Sequence, residues 1–408
     1  MKYRNLLFII PILFSSACKK DWLNAKPEKR LAVPSTIKDY QALLDKTDNQ
    51  SGAPFNVNES ILDEHGANDF YVTDNDYSSR SPTERNYYTW AANIYANSDY
   101  SGEWTTPYER IYYSNVVLEG IEKVKPLNTN EQQQWNQVKG SALFLRAYNH
   151  YQIAKLYCKQ YEQTTAKTDL GIPLRLTADF NIKSHRSSVE QTYNQIVEDL
   201  RNSIALLPVQ RPENDIYKLR PNLAAANAFL ARIYLFMGNY DSALTAADRS
   251  LALYSNLIDF NSLTVTATNF PIQALNAEVL FHSTGTNWTM HSISRVIVDS
   301  NLFKLYNTND LRRTVFIKTR TGALRFYGNY NGTKGTWFTG LATDEVFLIR
   351  AECYARKGNT SSALADLNHL LQKRWNKNSV FQPITAADPT IALTKVLEER
   401  RKELCFRG

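Results

Sequence analysis

Ala231-Arg-Ile-Tyr234-Leu-Phe-Met-Gly238-Asn239-Tyr-Asp-Ser242-Ala243-Leu244 returns 120 residues later as Ala351-Glu-Cys-Tyr354-Ala-Arg-Lys-Gly358-Asn359-Thr-Ser-Ser362-Ala363-Leu364, with seven of fourteen positions identical. In both copies a Tyr precedes an Ala by nine residues across a Gly-Asn turn. Small Ala residues let two helices approach closely, Tyr and Leu fill the groove between them, and Gly supplies the left-handed residue that the turn needs.

This is the spacing of a tetratricopeptide (TPR) helix hairpin. The copies are not 34 residues apart, so the chain is not a simple tandem array and the stretch between them is an insertion. Helical periodicity extends outward from the first copy. Pro221 and Asn222 open a helix with Leu223, Ala226, Leu230, Ile233 and Met237 on one face. Upstream, Ser187 and Glu190 spell a capping box ahead of Val189, Tyr193, Ile196, Leu200 and Ile204, and Pro208 ends that helix. Two more helices are expected between 102 and 158, and another closes the chain through Leu393, Val396, Leu397 and Leu404. The fold class expected is all-α, a TPR-like helix-hairpin scaffold carrying long loop-rich insertions with short strands.

Two segments depart from helical character, 55 to 100 and the insertion of about 255 to 340. Both are rich in aromatics, Asn, Thr, Ser and Gly, as in Arg325-Phe-Tyr327-Gly-Asn-Tyr330-Asn-Gly-Thr-Lys-Gly-Thr-Trp337. In such loops a ring can stack on the C–H face of a sugar while neighbouring amides bond its hydroxyls. Candidate ligand residues are therefore Tyr87, Tyr88, Trp90, Trp288, Tyr327, Tyr330 and Trp337, each of which could instead merely pin its own loop. Trp104, Tyr108, Tyr148, Tyr234 and Tyr354 stand at helical spacing and are read as scaffold packing.

The N-terminus gives a separate signal. Lys2 and Arg4 precede the apolar run Leu6 to Phe14, then Ser15-Ser16-Ala17 and Cys18, the order of a secretory signal peptide followed by a lipid-accepting cysteine. Polar residues from Lys19 to about Pro34 would tether the body to a membrane anchor. No later run is long and apolar enough to span a bilayer.

Composition excludes several classes. The 408 residues carry 47 Lys and Arg against 40 Asp and Glu, spread along the chain, with no basic run or zinc-finger spacing, so nucleic-acid binding is not implied. Four Cys, one of them Cys18, cannot form a disulfide framework. The six His make no H-E-x-x-H, no nucleophile elbow or phosphate loop occurs, and the carboxylate pair Asp63-Glu64 is one of many in a chain with 40 acids. Asp74-Asn-Asp76 begins like a calcium loop, but Ser79 and Arg85 stand where Gly and Glu are required. No catalytic residue, metal or cofactor is expected.

Taken in order, several motifs resemble the SusD-like (RagB/SusD) lipoproteins of Bacteroidetes. Cys18-Lys-Lys-Asp21-Trp-Leu23 with Pro27 is similar to that family's mature start, and Trp104-x3-Tyr108-x2-Ile111-x3-Asn115 to its first scaffold helix. Gly140-x-Ala142-x2-Leu145-Arg146-Ala147-Tyr148, Gly171-Ile-Pro-Leu174, the two hairpin copies and Glu399-Arg400-Arg401-x-Glu403-Leu404 follow at family spacing. The sequence departs at Ser15, where the lipobox usually has Leu, at Arg407, where an acidic residue is common, and at Gly408, where the family continues, as though the chain were truncated. The resemblance implies a lipid-anchored, surface-exposed protein of the outer membrane that binds oligosaccharide and delivers it to a TonB-dependent (SusC-like) transporter, without enzymatic activity. The layout expected is a signal peptide over 1–17, a lipidated tether over 18–34, an N-terminal helical part over 35–254 and a C-terminal part over 255–408. Rival readings are a TPR scaffold that binds only protein and a surface glycoside hydrolase.

Overall fold

The computed structural model describes residues 33–45, 57–95, 102–208, 218–285, 290–334 and 336–407. Cys18 and Trp288 lie outside them. Among the described residues there are fourteen helices: α1 (Ile37–Leu44), α2 (Leu62–His65), α3 (Asp74–Ser78), α4 (Pro82–Tyr88), α5 (Gly102–Ile121), α6 (Thr129–Tyr157), α7 (Val189–Leu206), α8 (Leu223–Phe236), α9 (Tyr240–Leu253), α10 (Ser300–Leu305), α11 (Arg312–Val315), α12 (Thr343–Arg356), α13 (Thr360–Gln372) and α14 (Pro389–Leu404). The all-α class is thus observed, with short strands confined to the connecting regions.

Local chemistry sets the helix ends. The cap of α7 falls one residue after the expected Ser187: Ser188 accepts from the Gln191 backbone N–H, and Gln191 returns the bond, closing the capping box. Ser187 is diverted to the Ile172 carbonyl instead. In the repeated motif Asn239 and Asn359 cap α9 and α13, accepting from Ser242 and Ser362 N–H, while Gly238 and Gly358 hold φ of 72° and 81°. That conformation is the reason for the Gly-Asn pair in both copies.

Although 120 residues apart in sequence, the two hairpins pack directly on one another, α9 against α12, so the insertion is looped out of a continuous helical stack. Ionic contacts lock this junction, among them Lys357 with Asp241. Arg350 on α12 meets Asp366 of its own hairpin at 2.6 Å and Asp248 of the first at 3.0 Å. Arg232 on α8 meets Glu345 on α12 at 2.5 Å.

A second core is built from the two loop-rich segments together. Strand β1 (Val57–Glu59) runs parallel to β3 (Thr284–Gly285), which pairs on its other side with β5 (Trp337–Phe338). Strand β2 (Phe70–Tyr71) pairs antiparallel with β4 (Ile297–Val298). Ile61, Phe70 and Val72 are buried among Phe316, Phe326, Trp337 and Phe406, so this core takes residues from both sides of the boundary expected at 254. No described helix is long and apolar enough to cross a membrane.

Candidate functional site

The six aromatic candidates among the described residues fall into two groups. Tyr330 is only 1% exposed, beneath the Arg407 guanidinium at 3.7 Å, and its hydroxyl bonds the buried Glu278 and Asp344 carboxyls. Trp337 is 5% exposed in β5, with Nε1 donating to the His291 carbonyl at 3.1 Å and its ring stacked against Phe326 and Phe406. Neither offers an open ring face. The amides around them, expected to serve sugar hydroxyls, serve the backbone: Asn329 donates to the Thr333 carbonyl and accepts from Phe338 N–H. Tyr327 is half-buried between Phe270, with ring centroids 4.9 Å apart, and the Lys318 ammonium.

The other three belong to α4 and its C-terminus, a helix where a loop was expected. Ser81 and Glu84 form its capping box and Pro82 occupies its first turn. Tyr88 turns inward against Phe70 and Tyr77. Tyr87 turns the other way, to Tyr95, with the two hydroxyls 3.2 Å apart. Burial and the Tyr95 hydroxyl push the Tyr87 phenol upward, so it stays protonated.

Trp90 follows the helix in an unusual position. Ala91 N–H bonds the Asn86 carbonyl and Trp90 N–H bonds that of Tyr87, the Schellman pattern, in which the left-handed residue is commonly glycine. Here it is Trp90, at φ 55° and 79% exposed. Its indole lies over Gly66, where a Cβ would come within 2.8 Å of the ring, so a bare backbone is needed beneath it.

From Tyr87 a chain of aromatic contacts runs through Tyr95 to α5. The Tyr95 and Tyr157 hydroxyls are 2.5 Å apart, Tyr157 meets Trp104 edge-on at 4.9 Å, and Trp104 meets Tyr108 at 5.0 Å. It opens into a groove of about 450 Å³ lined by Trp104, Tyr108, Tyr112, Asn115 and Phe180. Tyr112 is 43% and Phe180 80% exposed. The loop bearing Phe180 is braced from within. Asn115 donates to the Arg175 and Thr177 carbonyls, Arg175 to those of Asp179 and Ile182, and Ala178 N–H to Glu119. The polar groups face inward and the apolar side chain outward.

The reading of Trp104 and Tyr108 as scaffold is therefore incomplete: both are half-buried against the helical core and also line the groove. Tyr148 and Tyr234 are buried as expected. The missed signal was the spacing of Trp104, Tyr108 and Tyr112, one aromatic per turn on one face of α5. Of the other sequence candidates, Asp63 pairs with Lys155 at 2.8 Å, and Asp74 and Asp76 occupy the first turn of α3.

Comparison with known proteins agrees with this architecture. A family model described as SusD-like, starch-binding associating with outer membrane, matches residues 21–235. The chain belongs to that family. Among solved structures it is similar to a sugar-binding protein from Bacteroides vulgatus ATCC 8482, with 21% identity, a TM-score of 0.72 and coverage of 92% of this chain and 86% of the other. A SusD-like carbohydrate-binding protein from the same organism superposes with a TM-score of 0.67 at 20% identity, covering 92% and 82%. A SusD superfamily protein from Bacteroides thetaiotaomicron VPI-5482 does so with 0.69 at 22%, covering 91% and 87%. These likenesses establish the fold. No curated protein matches the chain.

Proposed function

We propose that the protein captures oligosaccharide on the aromatic track running from Trp90 through Tyr87 and Tyr95 to the Trp104, Tyr108, Tyr112 and Phe180 groove. It does so as a Cys18-anchored lipoprotein on the outer membrane, and passes the glycan to a TonB-dependent transporter. Membership of a family described as starch-binding supports the ligand class, and that description's association with the outer membrane supports the location. The same description supports a binding role rather than hydrolysis.

One observation carries the reading: a large, exposed indole occupies a glycine-type backbone position. Left-handed backbone costs a non-glycine residue roughly 1–2 kcal/mol. With most of its surface in solvent, Trp90 recovers little of this by packing, and such strain concentrates at functional sites. A flat, preorganised ring suits stacking on the apolar face of a pyranose.

The test is a polysaccharide panel titrated against wild type and the single variants Tyr112→Ala and Phe180→Ala, with melting temperatures recorded. Each variant should lose affinity while remaining folded. If both bind every glycan as wild type does, the groove end of the track is not the site. Affinity capture from native membranes that repeatedly returns no β-barrel protein would remove the transporter from the reading.

A further inference from the structure

Residues 174–185 form a long arm beside the groove of Trp104, Tyr108, Tyr112 and Phe180. The arm leaves and re-enters the body through two short strands, Leu170–Pro173 and Arg186–Ser188, paired antiparallel. Hairpin loops usually run to about 2–5 residues, and much longer connections are usually functional or disordered. This one has no helix or strand of its own, and its large apolar side chains, Leu176, Phe180 and Ile182, are exposed. Burial of those side chains does not hold it in place. Hydrogen bonds do, and Arg175 is at their centre. Its Nη1 donates to the Ile182 carbonyl at 2.6 Å and to the Ser184 hydroxyl at 3.1 Å, and its Nη2 to the Asp179 carbonyl at 2.5 Å. Asp179 and Ile182 flank Phe180, so one guanidinium grips the chain before and after the exposed ring. The base of the arm is fixed to the helices that carry the groove floor. The Tyr108 hydroxyl donates to the Pro173 carbonyl at 2.8 Å, and Asn115 to the Arg175 and Thr177 carbonyls at 3.0 Å each. Behind Asn115, Arg146 donates to its Oδ1 at 3.0 Å while paired with the buried Asp199 at 2.6 Å.

We propose that Arg175 is a positioning residue for glycan capture, holding Phe180 as a preformed wall of the groove. The buried bonds at the base orient the arm, but only Arg175 spans from that base to both sides of the ring. Its planar fork presents several N–H donors in fixed directions and so reaches acceptors that diverge, which an ammonium on a flexible stem does not. Without it the Asp179 and Ile182 carbonyls turn to water and Phe180 is free to swing. A wall already in place spares the ligand the cost of ordering the arm as it binds. The inference rests on the glycan reading of the groove.

A double-mutant cycle tests it, because a residue that acts through Phe180 has nothing left to do once that ring is gone. The glycan from the panel that wild type binds most tightly is titrated into Arg175→Gln, Phe180→Ala, Tyr112→Ala and the doubles Arg175→Gln/Phe180→Ala and Arg175→Gln/Tyr112→Ala, with melting temperatures recorded. Arg175→Gln and Phe180→Ala should each weaken affinity roughly tenfold, the effect of losing a substantial contact. Their double should be no weaker than either alone. Tyr112 stands on α5, outside the grip of Arg175, so its loss and that of Arg175 should add. If Arg175→Gln binds as wild type does, or weakens binding by the same factor with and without Phe180, the proposal is overturned while the glycan reading stands. Should Arg175→Gln not fold, Glu119→Ala replaces it in the same cycle: Glu119 is exposed and accepts from Ala178 N–H at 2.8 Å, so its loss loosens the arm from the surface. The same two outcomes then overturn the proposal. If wild type binds no glycan, or Tyr112→Ala and Phe180→Ala both bind as wild type does, the glycan reading of the groove fails and the proposal falls with it.

Discussion

Arg407 Nη1 lies 2.7 Å from Asp344 Oδ2, joining the last described residue to the first turn of α12 across a carboxylate that is fully buried. An acidic residue at 407 would set two negative charges against each other here, so the departure from the family pattern is matched by its partner. The pair belongs to a larger network. Arg312 meets Asp310, Glu399 and Glu403 at 2.7, 2.6 and 2.9 Å, and Arg374 meets Glu278 and Glu403 at 2.8 Å each. Glu399 and Glu403, one turn apart on α14, thereby clamp the insertion to the helical stack.

Breaking such a buried set from one side leaves an uncompensated charge. Glu403→Ala removes the carboxylate that Arg312 and Arg374 share, leaving Arg312 to Asp310 and Glu399 and Arg374 to Glu278, and should cost about 3–5 kcal/mol. Chemical denaturation of the purified variant measures this directly. A loss below about 1 kcal/mol, the usual size for exposed pairs, would show that the clamp contributes no more than a surface contact.

The network also predicts a pH dependence. The Tyr330 hydroxyl contacts both Glu278 Oε2 and Asp344 Oδ2, yet it has one hydrogen to donate, so one of the two carboxyls must itself carry a proton. Burial pushes Glu278 up to about 7, against the pull of Arg374, and burial raises Asp344 in the same direction. Burial works against ionisation of Glu403 too, but Arg374 and Arg312 override it and hold that carboxyl down to about 2. For Glu278 the folded value exceeds the unfolded one of 4.5. Its stabilising contribution is therefore complete below 4.5 and is lost as pH rises through 7. Glu278→Gln removes this titration. The stability of wild type relative to the variant should fall between pH 4.5 and 7.5, by on the order of 3 kcal/mol. Urea unfolding of both proteins across that range checks it, and a pH-independent difference would contradict the assignment.

Much of the scaffold was legible because its signals are local. The Gly-Asn turns, the Asn222 cap and the spacing of Leu200, Ile204 and their neighbours each act within one or two helical turns. The second core was not legible. Phe70 pairs with Val298 and Val57 with Thr284, strands of two or three residues joined across more than 200 positions, too short to show alternation. The same blindness misplaced Tyr330 and Trp337: an Asn-rich, Gly-rich run reads as an open loop unless one knows that Asn329 and Asn331 spend their amides within it. Conversely, the one-per-turn spacing of Trp104, Tyr108 and Tyr112 marks a shared aromatic face, but whether that face stays partly open depends on how far the braced loop at 174–184 covers it.

Cys18 should carry a lipid, because an apolar run ending in Ser-Ser-Ala-Cys supplies charged, apolar and small-residue regions in the required order. Metabolic labelling with a fatty-acid analogue should tag wild type and not Cys18→Ala. Equal labelling of the two would remove the anchor from the proposed function.

Trp90 allows stability and binding to be separated at one position. Glycine relieves the left-handed strain, so Trp90→Gly should be about 1 kcal/mol more stable than wild type. Trp90→Ala removes the same ring but keeps a Cβ at φ 55°, and should show no such gain. Both should lose glycan affinity equally. Removal of a binding hot spot costs about 2 kcal/mol, or roughly thirtyfold in affinity. A ring that merely pins its loop behaves differently. Since the indole covers Gly66, its loss would then lower the melting temperature in both variants and leave binding near normal. Melting curves and glycan titrations on the same preparations decide between them. A Trp90→Gly protein that is less stable than wild type and binds as well would place Trp90 with Tyr330 and Trp337 among the aromatics that hold the fold.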